Sequence, residues 1–175
     1  DVDGFHPENL GRLASGRPRF VPCTPKGVLR LLRHYGIATA GRRVAIVGRS
    51  VIVGRPLALL LALKGPAGDA TVTLCHSATP DLARSTRAAE IVVAAMGAPR
   101  FLGREHVAEG ATVVDVGITR LPAAAGEKPQ LAGDADAAAL AGWAGALTPV
   151  PGGIGLMTVT MLMENTWESA HRRGA

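Results

Sequence analysis

Aromatic residues make up only 3% of this 175-residue chain: one tyrosine, two tryptophans and three phenylalanines. Rings cannot fill a core at that level, so Ala, Val, Leu and Ile must. That diet suits the near-continuous apolar strands of a parallel sheet. Cysteine is scarce as well. Cys23 and Cys75 show neither a secreted-scaffold pattern nor metal-ligand spacing, and both read as buried thiols of a reducing compartment. No apolar run reaches the roughly 18 residues of a membrane span, and "DVDGFHP" at the start is not a signal peptide. The expected location is therefore the cytoplasm, without a membrane partner. Only three of the nineteen basic residues are lysines, Lys26, Lys64 and Lys128. No basic block is interleaved with aromatics, which argues against nucleic acid. A net charge of +5 leaves open an anionic small molecule.

What is present is a folded composition, 47% hydrophobic and 19% charged, in which short apolar runs alternate with helical stretches. This predicts an α/β domain on a mostly parallel sheet with helices on both faces. Strands are expected at "RVAIVG" (43–48), "ATVTLC" (70–75), "EIVVAAMG" (90–97), "ATVVDVG" (111–117) and "GALTPV" (145–150). The spacing of Val28, Leu31, Leu32 and Tyr35 predicts a helix over 24–36, capped by Thr24, started by Pro25 and stopped by Gly36. Further helices are expected over 56–64, over 79–89 with Thr79 as N-cap, briefly near 103–108, and over 156–173. Residues 119–135 read as a surface loop. The first 23 residues have loop chemistry and too little apolar content for a domain of their own.

The stretch "VAIVGRSVIVGRP" (44–56) runs strand, turn, helix, the outline of a crossover that seats a phosphate at a helix N-terminus. It has Ser50 where the G-x-G-x-x-G fingerprint has its second glycine, so an anion at Gly48, Arg49 and Ser50 must be approached more loosely or through the hydroxyl. After the second strand, "TLCHS" supplies His76 and Ser77 and no acid until Asp81. A carboxylate there would bind the ribose of NAD, whereas its absence with Arg49 near favours a 2′-phosphate, hence NADP. "PVPGGIG" (149–155) makes a rigid turn between strand and helix whose backbone N–H groups suit a ligand-facing wall. In "DVDG", Asp1 and Asp3 would point the same way if extended.

These pieces, with "FVPCTPKGV", "VVDVGITR" and "TPVPGGIGLMTVTMLMENT", resemble one family along nearly the whole chain: the bifunctional methylenetetrahydrofolate dehydrogenase/methenyltetrahydrofolate cyclohydrolases. The resemblance implies a Rossmann-like domain preceded by a folate-side domain, and a homodimer through this domain. It also implies NADP-dependent oxidation of 5,10-methylenetetrahydrofolate and hydrolysis of the methenyl product to 10-formyltetrahydrofolate. By the same resemblance Gly48, Arg49 and Ser50 hold the cofactor phosphates, and His76 and Ser77 face the 2′-phosphate or ribose. Ile118 contacts the nicotinamide end. Pro151, Gly152, Gly153, Ile154 and Gly155 face the folate, and Asp3 holds the pterin ring.

The family's Tyr-x-x-x-Lys motif is absent, because Tyr35 is followed four residues later by Thr39. No catalytic residue is therefore assigned to this chain, and the family's front domain is expected to be missing. Val51, the "GITR" stretch and Leu156 also depart from the usual pattern. The expected division is an inter-domain segment and linker helix over 1–35, the NADP-binding domain over 36–155, and a helix over 156–175 that packs back toward the missing domain. The alternative is a non-catalytic NADP(H)-binding module acting with a partner chain.

Overall fold

In a computed structural model, which describes residues 1–122 and 129–171, the chain forms a five-stranded parallel sheet with helices on both faces. The strands are β1 (Arg43–Val47), β2 (Thr71–Cys75), β3 (Ile91–Ala94), β4 (Thr112–Asp115) and β7 (Ala146–Leu147), in the order β2-β1-β3-β4-β7. β1 and β3 are buried along nearly their whole length, as central strands covered on both faces must be. β2 alternates exposed and half-buried residues because it lies at an edge.

One face packs Val44, Ile46, Ile91 and Val93 against Val28 and Leu32 of α2 (Cys23–His34), Leu57 and Leu61 of α3 (Gly54–Ala62), and Ile154 at the head of α6 (Ile154–His171). The other face, Ala45, Val47, Val92 and Ala94, is lined by smaller side chains and packs against Cys75, Ala89 and Leu102. Each fully buried Val, Ile or Leu stabilises the fold by about 1.5–3 kcal/mol relative to exposure. Both thiols are free and buried, and burial pushes the Cys23 and Cys75 pKa values up, so neither is poised to react. Among the described residues no helix is long and apolar enough to cross a membrane.

The structure differs from the sequence expectations at several ends. The N-terminal segment is not all loop: α1 (Pro7–Ala14) starts with Pro7 in its first turn, and the His6 ring accepts the Glu8 N–H at 3.2 Å. Thr24 does not cap α2, which begins one residue earlier. Its hydroxyl instead meets that of Thr158 at 3.0 Å. Thr79 does not cap α4 (Leu82–Arg87) either. Its hydroxyl is taken by the His76 N–H, and the Asp81 carboxylate accepts from Arg84 N–H at 2.9 Å. Asp is a stronger cap than Thr.

No helix forms over 103–108. Turns replace it, with the chain pinned at either side by the Leu102–Ala135 bridge and by the bond from the Trp143 indole to the Val107 carbonyl. The loop expected over 119–135 contains an antiparallel ribbon, β5 (Thr119–Arg120) with β6 (Leu131–Ala132), followed by buried Gly133, Asp134 and Ala135. The rest of that expected loop, 123–128, lies outside the described residues. The short helix α5 (Ala137–Leu140) follows, capped by Asp136.

Glu90 joins β1 to the start of β3. Its carboxylate accepts the Arg43 N–H and the Arg42 guanidinium, and in that order of strength these hold its pKa below the ordinary glutamate value. An acid depressed in this way stabilises the fold above its unfolded pKa and stops doing so as pH falls through its folded one. Glu90→Gln should therefore melt below wild type at neutral pH, with the gap closing once pH drops below the ordinary glutamate range. Thermal melts across that range would show it, and a gap that persisted in acid would mean the carboxylate charge is not its cause.

Candidate functional site

Because all five strands run parallel, their C-terminal ends share one rim, and four of the predicted site segments leave from it. Successive backbone bonds stitch that rim together: Gly48 N–H to the Cys75 carbonyl, Ala95 N–H to Val47, Val116 N–H to Ala94, and Thr148 N–H to Val113, all between 2.8 and 3.1 Å. The chain goes from β1 outward to β2 and then crosses to β3, so the topological switch point lies between β1 and β3. Open α/β sheets bind ligands at such a point.

Gly48 stands there with φ +124°, and a Cβ on it would lie 2.0 Å from the Ala95 carbonyl oxygen. Gly54 is tied to it, since a Cβ at 54 would lie 1.9 Å from the Gly48 carbonyl oxygen. The missing middle glycine is answered by Ser50. Its Oγ accepts the N–H of Val53 at 3.1 Å and of Gly54 at 3.4 Å, so the hydroxyl caps α3 from within the turn and keeps its own proton to donate outward. Backbone N–H groups of residues 49–52 have no acceptor among the described residues, and Arg49 is exposed beside them. Unspent donors, an exposed cation and a helix N-terminus fit the phosphates of a nucleotide.

At the end of β2, the His76 Nδ1 accepts the Ala78 N–H at 3.2 Å, which places the proton of the neutral ring on Nε2. Ser77 is exposed next to it. After β4, Ile118 is 62% exposed, an apolar side chain facing outward at the rim where a flat ring could lie against it. The 149–155 turn contains a cis Val150–Pro151 bond and Gly152 at φ +101°, and it delivers the chain into α6. The N–H groups of Gly152 and Gly153 donate to nothing among the described residues.

Asp3 is not on the rim. It hangs beside α6, whose Asn165 Nδ2 donates to the Val2 carbonyl at 2.8 Å and to that of Val21 at 3.1 Å. Asp1 and Asp3 do not act as a pair, because the Asp1 carboxylate turns back to accept from Gly4 N–H, His6 N–H and the Asn9 amide. Asp3 is exposed, and its carboxylate accepts no hydrogen bond among the described residues. Tyr35 is exposed, and Thr39 is buried on the Gly68 carbonyl, so neither forms a base. Lys26 is committed to Glu164, Glu168 and Asn165.

Sequence reasoning missed two buried carboxylates directly beneath the rim. Asp115 ends β4 and accepts from the N–H groups of Gly117, Asp134 and Ala135 at 2.8–3.0 Å. Burial pushes its carboxyl up, those three donors pull it down, and Asp134 pushes it up again. Asp134 accepts from Met96 N–H at 2.7 Å and Gly97 N–H at 2.9 Å through Oδ2, while its Oδ1 is buried without a partner. The signal was available: "VVDVG" and "AGDAD" each place an acid inside an apolar run beside glycine. Among the described residues no three His, Cys, Asp or Glu side chains gather to hold a metal ion.

This rim belongs to a dinucleotide-binding α/β fold. The family model described as "Tetrahydrofolate dehydrogenase/cyclohydrolase, NAD(P)-binding domain" matches residues 22–174. The chain is 53% identical over its full length to a "Bifunctional protein FolD" of Desulfovibrio desulfuricans, covering 59% of that protein. It also superposes on the solved FolD methylenetetrahydrofolate dehydrogenase/cyclohydrolase of Campylobacter jejuni, at TM-score 0.90 and 46% identity, over 99% of this chain and 58% of that one. A Trypanosoma brucei methylenetetrahydrofolate dehydrogenase-cyclohydrolase solved with NADP cofactor and inhibitor superposes at TM-score 0.89 and 41% identity, over 99% and 59%. The chain therefore belongs to the tetrahydrofolate dehydrogenase/cyclohydrolase family, as its NAD(P)-binding domain, and spans about three fifths of the relatives it matches.

Two substitutions separate the roles of the β1 turn. Gly48→Ala should destabilise the fold by about 2 kcal/mol or more, because backbone cannot yield to the new Cβ. Ser50→Ala should cost about 1 kcal/mol, the loss of a helix cap. Denaturant melts of both would check the order, and an inverted order would mean that the β1–β3 contact is not tight.

Proposed function

We propose that this chain is the NADP-binding part of an enzyme that oxidises 5,10-methylenetetrahydrofolate to the methenyl form and hydrolyses that to 10-formyltetrahydrofolate. The observation that carries the cofactor reading is the β1 turn, with its unspent backbone N–H groups beside exposed Arg49 and inward-capped Ser50. Gly48, Arg49 and Ser50 would receive the phosphates. Arg49 with His76 and Ser77 would favour a 2′-phosphate, there being no carboxylate at the end of β2 to repel it. Ile118 would lie against the nicotinamide. Bound NADP would supply the hydride acceptor, and this chain's own contribution is placement and exclusion of water.

On the folate side, Asp3 would hold the pterin ring and the turn from Pro151 to Gly155 would face the substrate. Both are attached to α6, by the Asn165 clamp at one end and by direct continuation into the helix at the other. Among the described residues none is assigned as the base, so the proposal leaves the chemistry of the folate nitrogen to the further length that the relatives have.

The division over 1–35, 36–155 and 156–175 belongs to the same proposal. Leu156, Val159, Met163 and Trp167 form one exposed stripe on α6, between 59% and 70% exposed, and that spacing is a single helix face. The further length of the relatives would cover it. A homodimer through this domain follows from the family resemblance, and the unpaired side of edge strand β7 offers it a surface.

Titrating the chain with NADPH by fluorescence tests the reading. We expect saturable binding, preferred over NADH, and Arg49→Ala should weaken NADPH about tenfold and NADH by less. With 5,10-methylenetetrahydrofolate and NADP⁺ the chain alone should bind nucleotide and not turn over. Failure to bind either dinucleotide would sink the cofactor reading, and turnover would sink the assignment of the chemistry to residues outside this chain. NADPH binding that a folate analogue leaves unaltered would favour a non-catalytic nucleotide module.

A further inference from the structure

Two carboxylates with no cation among their hydrogen-bond partners lie buried under the rim, one 3% and the other 0% exposed. Such a burial is costly unless each oxygen is supplied with donors. What they bind is informative, because all five donors are backbone N–H groups from the chain leaving β3 and β4 and from the strap after β6. Asp115 holds the strap at Asp134 and Ala135 and the β4 exit at Gly117. Asp134, on that strap, holds the β3 exit at Met96 and Gly97. The strap is fixed from outside as well, by Arg100 N–H to the Gly133 carbonyl and Leu102 N–H to the Asp134 carbonyl, at 2.8 and 2.9 Å.

The fit leaves no slack. A Cβ on Gly117 would lie 2.2 Å from the Asp134 carboxyl carbon, and one on Gly133 would lie 1.9 Å from the Asp115 Oδ2. The partnerless Asp134 Oδ1 would lie 2.4 Å from the Cβ on Gly117. A carboxylate held there with one oxygen unsatisfied is an expense that simple packing does not require, since an apolar side chain would fill the space.

A dinucleotide lying across the strand ends places its adenosine half over β1 and β2 and its other half past the switch point, over the exits of β3 and β4. Those are the two exits that Asp134 and Asp115 together tie to one another. We propose that Asp134 is a positioning residue for the nicotinamide half of the cofactor: its carboxylate, seated by Asp115, sets the β3 and β4 exits in place before the nucleotide arrives. Met96 and Gly97 spend their N–H groups on it and so present their other edge to the cleft, and Ile118 follows Gly117 at a fixed angle. The adenosine half has its own anchors at Ser50 and His76 and does not depend on this clamp.

The inference rests on the cofactor reading above, and the test separates the two. Asp134→Ala and Asp134→Asn are each titrated with NADPH and with adenosine 2′,5′-bisphosphate, which lacks the nicotinamide half. Asp134→Ala should weaken NADPH about tenfold and leave the bisphosphate within about twofold. Asp134→Asn keeps an oxygen for Met96 and Gly97 and should restore NADPH to within about threefold. A parallel loss of both ligands, or no loss of NADPH in the alanine variant, overturns the proposal.

Amide exchange in the nucleotide-free wild-type chain decides the matter even if the alanine variant does not fold. Slow exchange at Met96 and Gly97, unchanged by NADPH, upholds a preset clamp. Fast exchange that slows only on adding NADPH overturns it. A wild-type chain that binds neither ligand refutes the cofactor reading instead, and the exchange result then still tells whether the exits are held.

Discussion

A side chain at residue 48 would overlap the Ala95 carbonyl, so β1 and β3 meet at the switch point only because glycine is there. Much follows from that contact. The Gly48 carbonyl then sits where Gly54 can pass it, and α3 can start within one turn of the strand. Ser50 is left on the outside of the bend, with its oxygen turned in to the helix and its proton turned out. A looser β1–β3 contact would move the helix start away from the strand ends and take the free N–H groups with it.

The rim is thus held by two kinds of bond. On the β1–β2 side the side-chain anchors are hydroxyls and a ring nitrogen near solvent, at Ser50, Thr79 and His76. On the β3–β4 side they are carboxylates shut away from water. Neutral, exposed bonds are weak individually and adjust to a ligand, whereas charge-assisted bonds in a low-dielectric interior resist displacement. One half of the rim is thus anchored near solvent and the other in the interior.

The sheet, α2, α3 and α6 were legible because each has a period that packing also demands: Val28, Leu32, Ile46 and Ile91 are buried as their spacing predicts. The rim residues were legible because strand-turn-helix punctuation marks where a parallel strand ends. Caps were read less well. Thr24 and Thr79 look like caps in isolation, but Thr158 and the His76 N–H claim their hydroxyls, and such partners lie far off in sequence or across a turn. Helix α1 was missed because histidine is an unusual N-cap, although Pro7 and the Glu8–Arg12 pair mark the helix. Asp115 and Asp134 were missed because an acid in an apolar run reads as an exposed strand end. Only the fold shows that backbone donors converge on them.

Asn165 reaches across 163 residues of sequence to the Val2 carbonyl, and the same amide nitrogen meets Val21 and the sulfur of Cys23. The N-terminal segment and α2 therefore gain these particular bonds only once α6 is in place. During synthesis at roughly 5–20 residues per second, the five strands can emerge and pair while α2 still has one apolar flank bare. Closing so long a loop adds little entropy per extra residue, but it orders events in time. That flank of the core is covered last, when α6 emerges and Asn165 can take the Val2 and Val21 carbonyls.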